Sequence, residues 1–174
     1  MRPRRSWGFR SNSHRNDVVH LCRMPTNVFI GADHGGFAFK GELIAFLIEN
    51  GFSVTDCGAD TLVADDDYPV IAARVARKMS EEKAQPVFGV LLCRSGAGMS
   101  IVANRFPDVR AVDVFSEKQA RHARQHNNVN VLALSGDWLN LDEMKKITLA
   151  FLQTPFSGEE RHVRRLQQIA DLKV

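Results

Sequence analysis

Residues 87–105, VFGVLLCRSGAGMSIVANR, constrain the fold more than any other stretch of the chain. Val87 to Leu92 form a short apolar run, the pattern of a strand buried on both faces. The run ends at Cys93, and a turn of mostly small residues follows, Arg94-Ser95-Gly96-Ala97-Gly98. Met99, Ile101, Val102 and Ala103 then resume with helical spacing. Strand, glycine turn and helix start make half of a βαβ unit. The turn falls at the carboxyl end of a strand, where open α/β sheets bind ligands. Gly96 and Gly98 permit positive φ and close backbone approach. Successive N–H groups there can point at an anion, with the positive end of the helix dipole behind them. The same field is expected to lower the pKa of Cys93. A Cys after a buried strand is commonly inert core, and a Gly-x-Gly turn alone is weak. Cys, Ser and Gly-x-Gly in one turn point to an anion or sugar site.

The rest of the chain supplies the remaining units. Asn27 to Ala32 reads as a strand ending in Asp33-His34-Gly35-Gly36. A helix over 37–50 sets Phe39, Leu43, Phe46 and Leu47 on one face, with Gly51 as its stop. A short strand over 53–56 leads into an acidic loop, 58–67, that closes with Asp67-Tyr68-Pro69. A helix over 70–82 precedes the central strand. Beyond it come a strand over 109–115 and a helix opened by Ser116 and Gln119 in capping-box spacing. That helix runs to Gln125 and is ended by His126-Asn127-Asn128. A strand over 129–134 and helices over 141–153 and 158–172 complete the chain. Five strands alternating with helices predict an α/β fold, a parallel sheet covered on both faces.

At 174 residues the chain is long enough for one domain with a sizeable core, and 44% hydrophobic residues argue against disorder. No apolar run approaches a membrane span. The cysteines, Cys22, Cys57 and Cys93, are odd in number and widely spaced. They fit neither a disulfide framework nor a zinc site, and suit a reducing compartment. Residues 1–23 hold Arg2, Arg4, Arg5, Arg10, Arg15 and Arg23 against Asp17 alone, so the remainder is mildly acidic despite a net charge of +3. Basic charge is therefore no argument for nucleic-acid binding by the fold. Residues 1–23 read as a disordered or over-extended N-terminal extension, loosely like a transit peptide. Residues 24–174 read as the domain.

In such a sheet every strand's carboxyl end faces one rim. Asp33 and His34, Cys93 and Ser95, and Gly136 and Asp137 all follow strands there. His126 precedes a strand and belongs to the opposite rim, so it would join Cys93 only across a subunit interface or around an edge. Arg161 and Arg165 share a helix face at i, i+4, a spacing that can clamp a phosphate. Each residue alone has a plain structural role: Asp33 a helix cap, the histidines surface residues, the arginines a solvated face, Tyr68 a packing ring. Together they suit proton transfer on a phosphorylated sugar. An aldose–ketose isomerase needs an acid/base to open the ring, a base to move a proton between C2 and C1, donors for the enediolate oxygen and a cationic phosphate anchor. No metal-ligand spacing is present.

The segments GADHGGFAFK (31–40), DYP (67–69), GVLLCRSGAGMSIVANR (89–105), RQHNNVNVLAL (124–134) and RHVRR (161–165) stand in an order that resembles the ribose-5-phosphate isomerase B / galactose-6-phosphate isomerase family. The resemblance implies a Rossmann-like three-layer α/β/α sandwich, cytoplasmic and without cofactor. It also implies a homodimer or dimer of dimers in which each site is shared by two subunits. It makes Cys93 the base that moves the C1/C2 proton, with Ser95 aiding O1 or ring chemistry. His126 would open the furanose ring, assisted by Asp33. Asn127 and the amides of Gly96, Ala97 and Gly98 would hold the enediolate. His34, Arg161 and Arg165 would bind phosphate or orient substrate, and Tyr68 would line the sugar pocket. Some members instead use a Glu where this chain has Met99.

Two positions depart from the family pattern. Arg94 replaces a small residue beside the catalytic turn. Asp137 replaces an Arg that contacts phosphate in many members. Both are specificity candidates. Ribose 5-phosphate is the default substrate; tetrose, allose and galactose phosphates are alternatives, as is a non-catalytic sugar-phosphate sensor. A cysteine phosphatase is disfavoured, because its Cys-x5-Arg loop would need Arg where Met99 stands.

Overall fold

The computed structural model describes residues 26–82 and 86–172; the expected extension over 1–23 lies outside them. Five strands form one parallel sheet: β1 (Asn27–Ala32), β2 (Ser53–Asp56), β3 (Val87–Cys93), β4 (Ala111–Asp113) and β5 (Val131–Ser135). Their spatial order is β2-β1-β3-β5-β4. The described helices are α1 (Phe37–Glu49), α2 (Tyr68–Glu81), α3 (Ala97–Ala103), α4 (Glu117–Asn127), α5 (Leu141–Gln153) and α6 (Glu160–Ala170). From β1 the chain moves outward to β2, then returns past β1 to β3. Strand order therefore reverses between β1 and β3, which opens a crevice beyond their carboxyl ends.

Alternation along the strands sorts the core into two layers. Val28 and Ile30 of β1 and Phe88, Val90 and Leu92 of β3 point to the side covered by α1, α4 and α5, against Leu43, Leu47, Ala120, Met144 and Phe151. Leu91 and Cys93 point to the other side, against Ile71, Val75 and Met79 of α2 and Met99 and Ala103 of α3. Each fully buried large apolar side chain contributes about 1.5–3 kcal/mol. The α/β/α layering is thus a consequence of central strands, β1, β3 and β5, that bury apolar side chains on both faces. It also decides that the Cys93 side chain lies in the α2/α3 layer.

Several boundaries differ from those the sequence predicts. β4 is three residues: just before it Arg110 N–H donates to the side-chain Oδ1 of Asn130 at 2.7 Å, and on its outer edge Asn104 bonds both N–H and C=O of Ala111. β5 begins at Val131, although Asn130 N–H already donates to Arg110 O at 3.0 Å and its C=O accepts from Gly89 N–H at 2.9 Å. α4 continues through His126 and Asn127, and ends only where Asn128 turns left-handed, φ 45°. α2 begins at Tyr68, with Pro69 in its first turn, where a missing N–H costs nothing. Ser116 caps α4 as expected, but the Gln119 side chain reaches back to Phe115 N–H, one residue earlier than in a standard box. No helix among the described residues is long and apolar enough to cross a membrane.

Candidate active site

Cys93 ends β3 paired in register with Ser135, the last residue of β5. The backbone then turns sharply through Gly96, whose φ of +85° only glycine adopts without strain. This turn folds amides back on the thiol: Gly96 N–H donates to Cys93 Sγ at 3.0 Å, and the Ser95 and Met99 amides also bond it. The expected acidification does not follow. Burial pushes the thiol above its ordinary pKa, nearby Asp33 adds to the rise, and the amides offset only part of it. Gly98 needs no positive φ. It needs the absence of a Cβ, which would lie 2.7 Å from the ring of Tyr68. Tyr68 therefore covers the turn from the start of α2.

Asp33 follows β1 and is 4% exposed. Its Oδ1 accepts from the N–H groups of Gly35 at 2.9 Å and Gly36 at 3.3 Å, while its own N–H donates to Leu92 O. Burial raises its pKa, against those two bonds. The paired glycines are required sterically. A Cβ on Gly36 would meet the Leu92 carbonyl at 2.6 Å, and one on Gly136 would meet Gly35 O at 2.3 Å. The three turns after β1, β3 and β5 are thereby pressed together.

Two basic side chains sit on this rim, each held by a carboxylate. Asp66 Oδ1 takes the backbone N–H of His34 at 2.8 Å and its Nδ1 at 2.9 Å, and this bond raises the imidazole pKa. Arg94 Nε donates to Asp137 Oδ2 at 3.1 Å and Oδ1 at 3.3 Å.

A second group gathers at the far end of the molecule, where α4 ends and α6 crosses it. The ring of His126 stacks on His162 at 4.4 Å and lies 4.0 Å from His122, centroid to centroid. His162 is buried and shares a 2.7 Å hydrogen bond with Ser157. Desolvation, then His122, His162 and Arg161, hold the His126 pKa below its ordinary value. Asn127 is exposed beside it. Arg161 bonds Glu159 at 2.8 Å, and Arg165 is exposed one turn on. β5 separates this group from Cys93: its first residue, Val131, is level with Gly89 of β3, four residues before Cys93, or about 13 Å along the strand.

The family model described as Ribose/Galactose Isomerase matches residues 28–169. The chain belongs to the ribose/galactose isomerase family. Ribose-5-phosphate isomerase B of Escherichia coli strain K12 is 36% identical over 146 residues, which cover 84% of this chain and 95% of that protein. The crystal structure of ribose-5-phosphate isomerase B from Mycoplasma genitalium with bound ribulose-5-phosphate superposes with a TM-score of 0.80 at 39% identity, covering 84% of this chain and 95% of that one. The type B ribose 5-phosphate isomerase of Trypanosoma cruzi superposes at 0.79 and 41% identity, with the same coverage.

Within this family member, one rim gathers Asp33, His34, Tyr68, Cys93, Arg94, Ser95, Gly96, Ala97, Gly98 and Asp137. His126, Asn127, Arg161 and Arg165 gather elsewhere, at the α4–α6 end. Met99 is fully buried. Asp66 was not singled out by sequence, although the run Asp65-Asp66-Asp67 after the second strand was a signal. His122 was visible as the i−4 neighbour of His126. Nothing in local sequence marks His162 as its stacking partner, because that contact is made between helices. Among the described residues no group of three or more His, Cys, Asp or Glu is arranged to hold a metal ion.

Proposed function

We propose that the chain interconverts ribose 5-phosphate and ribulose 5-phosphate through a 1,2-enediolate, in sites shared between two copies. Ring opening moves a proton from the C1 hydroxyl to the ring oxygen, with His126 as acid/base and Asp33 assisting. Cys93, as thiolate, takes the C2 proton and returns it to C1, while Ser95 aids proton exchange at O1. The amides of Gly96, Ala97 and Gly98, with Asn127, hold the enediolate charge. His34, Arg161 and Arg165 bind the phosphate, and Tyr68 closes over the sugar. Oxidation at one carbon and reduction at its neighbour balance within the substrate.

The single observation that carries this reading is the amide-lined Cys93 sulfur beside buried Asp33, at the crevice between β1 and β3. The shared site is supported by the separation of His126 from Cys93 within one chain. It is also supported by the apolar residues Val163, Ile169 and Leu172, exposed on and just after α6, the surface a second copy would cover. A reducing, cytoplasmic setting agrees with Cys57 and Cys93 as free thiols.

The test is isomerase turnover across four-, five- and six-carbon sugar phosphates. Ribose 5-phosphate is expected to be interconverted with the highest kcat/KM. A protein that binds these sugars and turns over none is the sensor instead. A higher kcat/KM for a tetrose or hexose phosphate reassigns the substrate.

A further inference from the structure

The turns after β1 and β3 carry two basic side chains, His34 and Arg94, beside Gly35. Asp66 occupies the Nδ1 of His34. Asp137 reaches Arg94 differently: both carboxylate oxygens approach Nε, and the Nη1 and Nη2 edge of the guanidinium is left clear of the carboxylate. That edge carries a planar fork of N–H donors, matched to two oxygens of a phosphate monoester.

The root of the arginine is fixed from several sides, and its guanidinium by Asp137 at Nε. The Arg94 stem lies over Gly35, with Cγ 2.4 Å from where a Cβ there would stand. Its carbonyl accepts from Ser135 Oγ at 2.6 Å and Asp137 N–H at 3.1 Å, and Gly136 N–H donates to Cys93 O at 2.7 Å. The arginine is thus rooted in the same backbone that carries Cys93. The pair itself is exposed, with the Arg94 side chain at 68%, so it adds little to stability. A carboxylate at 137 standing alone would repel a phosphate dianion; bound to Nε, it orients a cation.

We propose that Arg94 is a substrate-binding residue whose Nη edge takes the phosphate of the sugar phosphate, and that Asp137 is the positioning residue that aims it. This rests on the reading of the substrate as a sugar phosphate, and it makes the Arg94–Asp137 pair a determinant of how far the phosphate stands from Cys93.

The experiment is calorimetric titration of the full chain with ribitol 5-phosphate, which has no carbonyl to react, and with ribitol as the uncharged control. Arg94→Ala, and Arg94→Gln as a folding-safe companion, are expected to weaken ribitol 5-phosphate binding ten- to a hundredfold, on the order of one lost charge-assisted hydrogen-bond pair. Ribitol binding stays unchanged. Asp137→Ala weakens ribitol 5-phosphate binding in the parent, but strengthens it or leaves it unchanged when Arg94 is already Ala. That loss or reversal of the effect separates positioning from repulsion. Unchanged binding in both Arg94 variants overturns the proposal, and tighter binding in Asp137→Ala in both backgrounds overturns the role of Asp137. If the parent turns over ribose 5-phosphate while the Arg94 variants bind normally, only this inference falls. If the Arg94 variants bind weakly and the parent turns over no sugar phosphate, only the isomerase reading falls.

Discussion

The Cys93 rim and the α4–α6 end bear the same kinds of polar side chain but are built in opposite ways. At the rim, functional groups follow strands directly and are held by their own turns. Asp33 is held by Gly35 and Gly36, and Cys93 by Gly96, over separations of two or three residues. At the far end, His126 is held by stacking with a helix 36 positions later in the sequence, His162. The rim faces a crevice formed by the sheet itself, whereas the far end leaves Arg165 and an apolar helix face open to solvent. Short local turns hold the rim's side chains in place. The far-end side chains sit on two helices that meet only through tertiary packing.

The sharpest way to break this comparison is at the rim. Cys93→Ser is expected to lower kcat by about 10²-fold or more, because a hydroxyl is too weak an acid to supply the base. Sugar-phosphate affinity is kept, and deuterium uptake at C2 from heavy water is lost. Activity within a few-fold of the parent removes Cys93 from the mechanism.

Gly136→Ala tests whether the three turns are as tightly pressed as the geometry requires. A Cβ there meets backbone, not a movable side chain, so a loss of about 1–3 kcal/mol is expected in denaturant unfolding. An unchanged midpoint would show that the turns after β1 and β5 have slack.

How much of this was legible in the sequence follows from the same contrast. Strand–turn–helix punctuation located β1, β3 and the Asp33 and Cys93 turns, because apolar runs and glycines act locally. β4 was read too long: the Asn130 side chain takes Arg110 N–H just before it, and nothing in Val109–Phe115 announces that. His126 was placed correctly off the Cys93 rim by topology alone. Its stack on His162 was not legible, since it depends on how α6 crosses α4. The thiol pKa was read in the wrong direction: a sequence shows donors near Cys93, but not the burial that outweighs them.

Smaller effects sharpen the electrostatics. Asp33→Asn removes a negative neighbour from a buried thiol, so Cys93 should ionise at lower pH. Alkylation by iodoacetamide at neutral pH is then expected to rise a few-fold, measured by mass spectrometry of the Cys93 peptide. An unchanged rate would mean that burial alone governs the thiol.

His34 and His126 are expected to titrate in opposite directions from the usual imidazole. Asp66 raises His34, so its positive charge survives above the ordinary value and is lost as pH rises through the raised pKa. KM for the sugar phosphate should increase across that rise, and Asp66→Asn should shift the increase to lower pH. Desolvation and cationic neighbours lower His126, so it stays neutral to more acid pH. NMR titration of the two imidazoles reads both shifts, and coincident midpoints would contradict the assignment.

The central claim, that one chain's Cys93 rim works with another chain's His126 end, has a direct test in subunit complementation. Cys93→Ser and His126→Ala chains are each inactive alone, and are unfolded together, refolded as a mixture and assayed. In a twofold dimer with shared sites, a mixed dimer has one site carrying both defects and one carrying none. Random pairing then restores about a quarter of parent activity. Recovery near that level is the predicted result. A mixture no more active than its two components contradicts the shared site and returns both groups to a single chain.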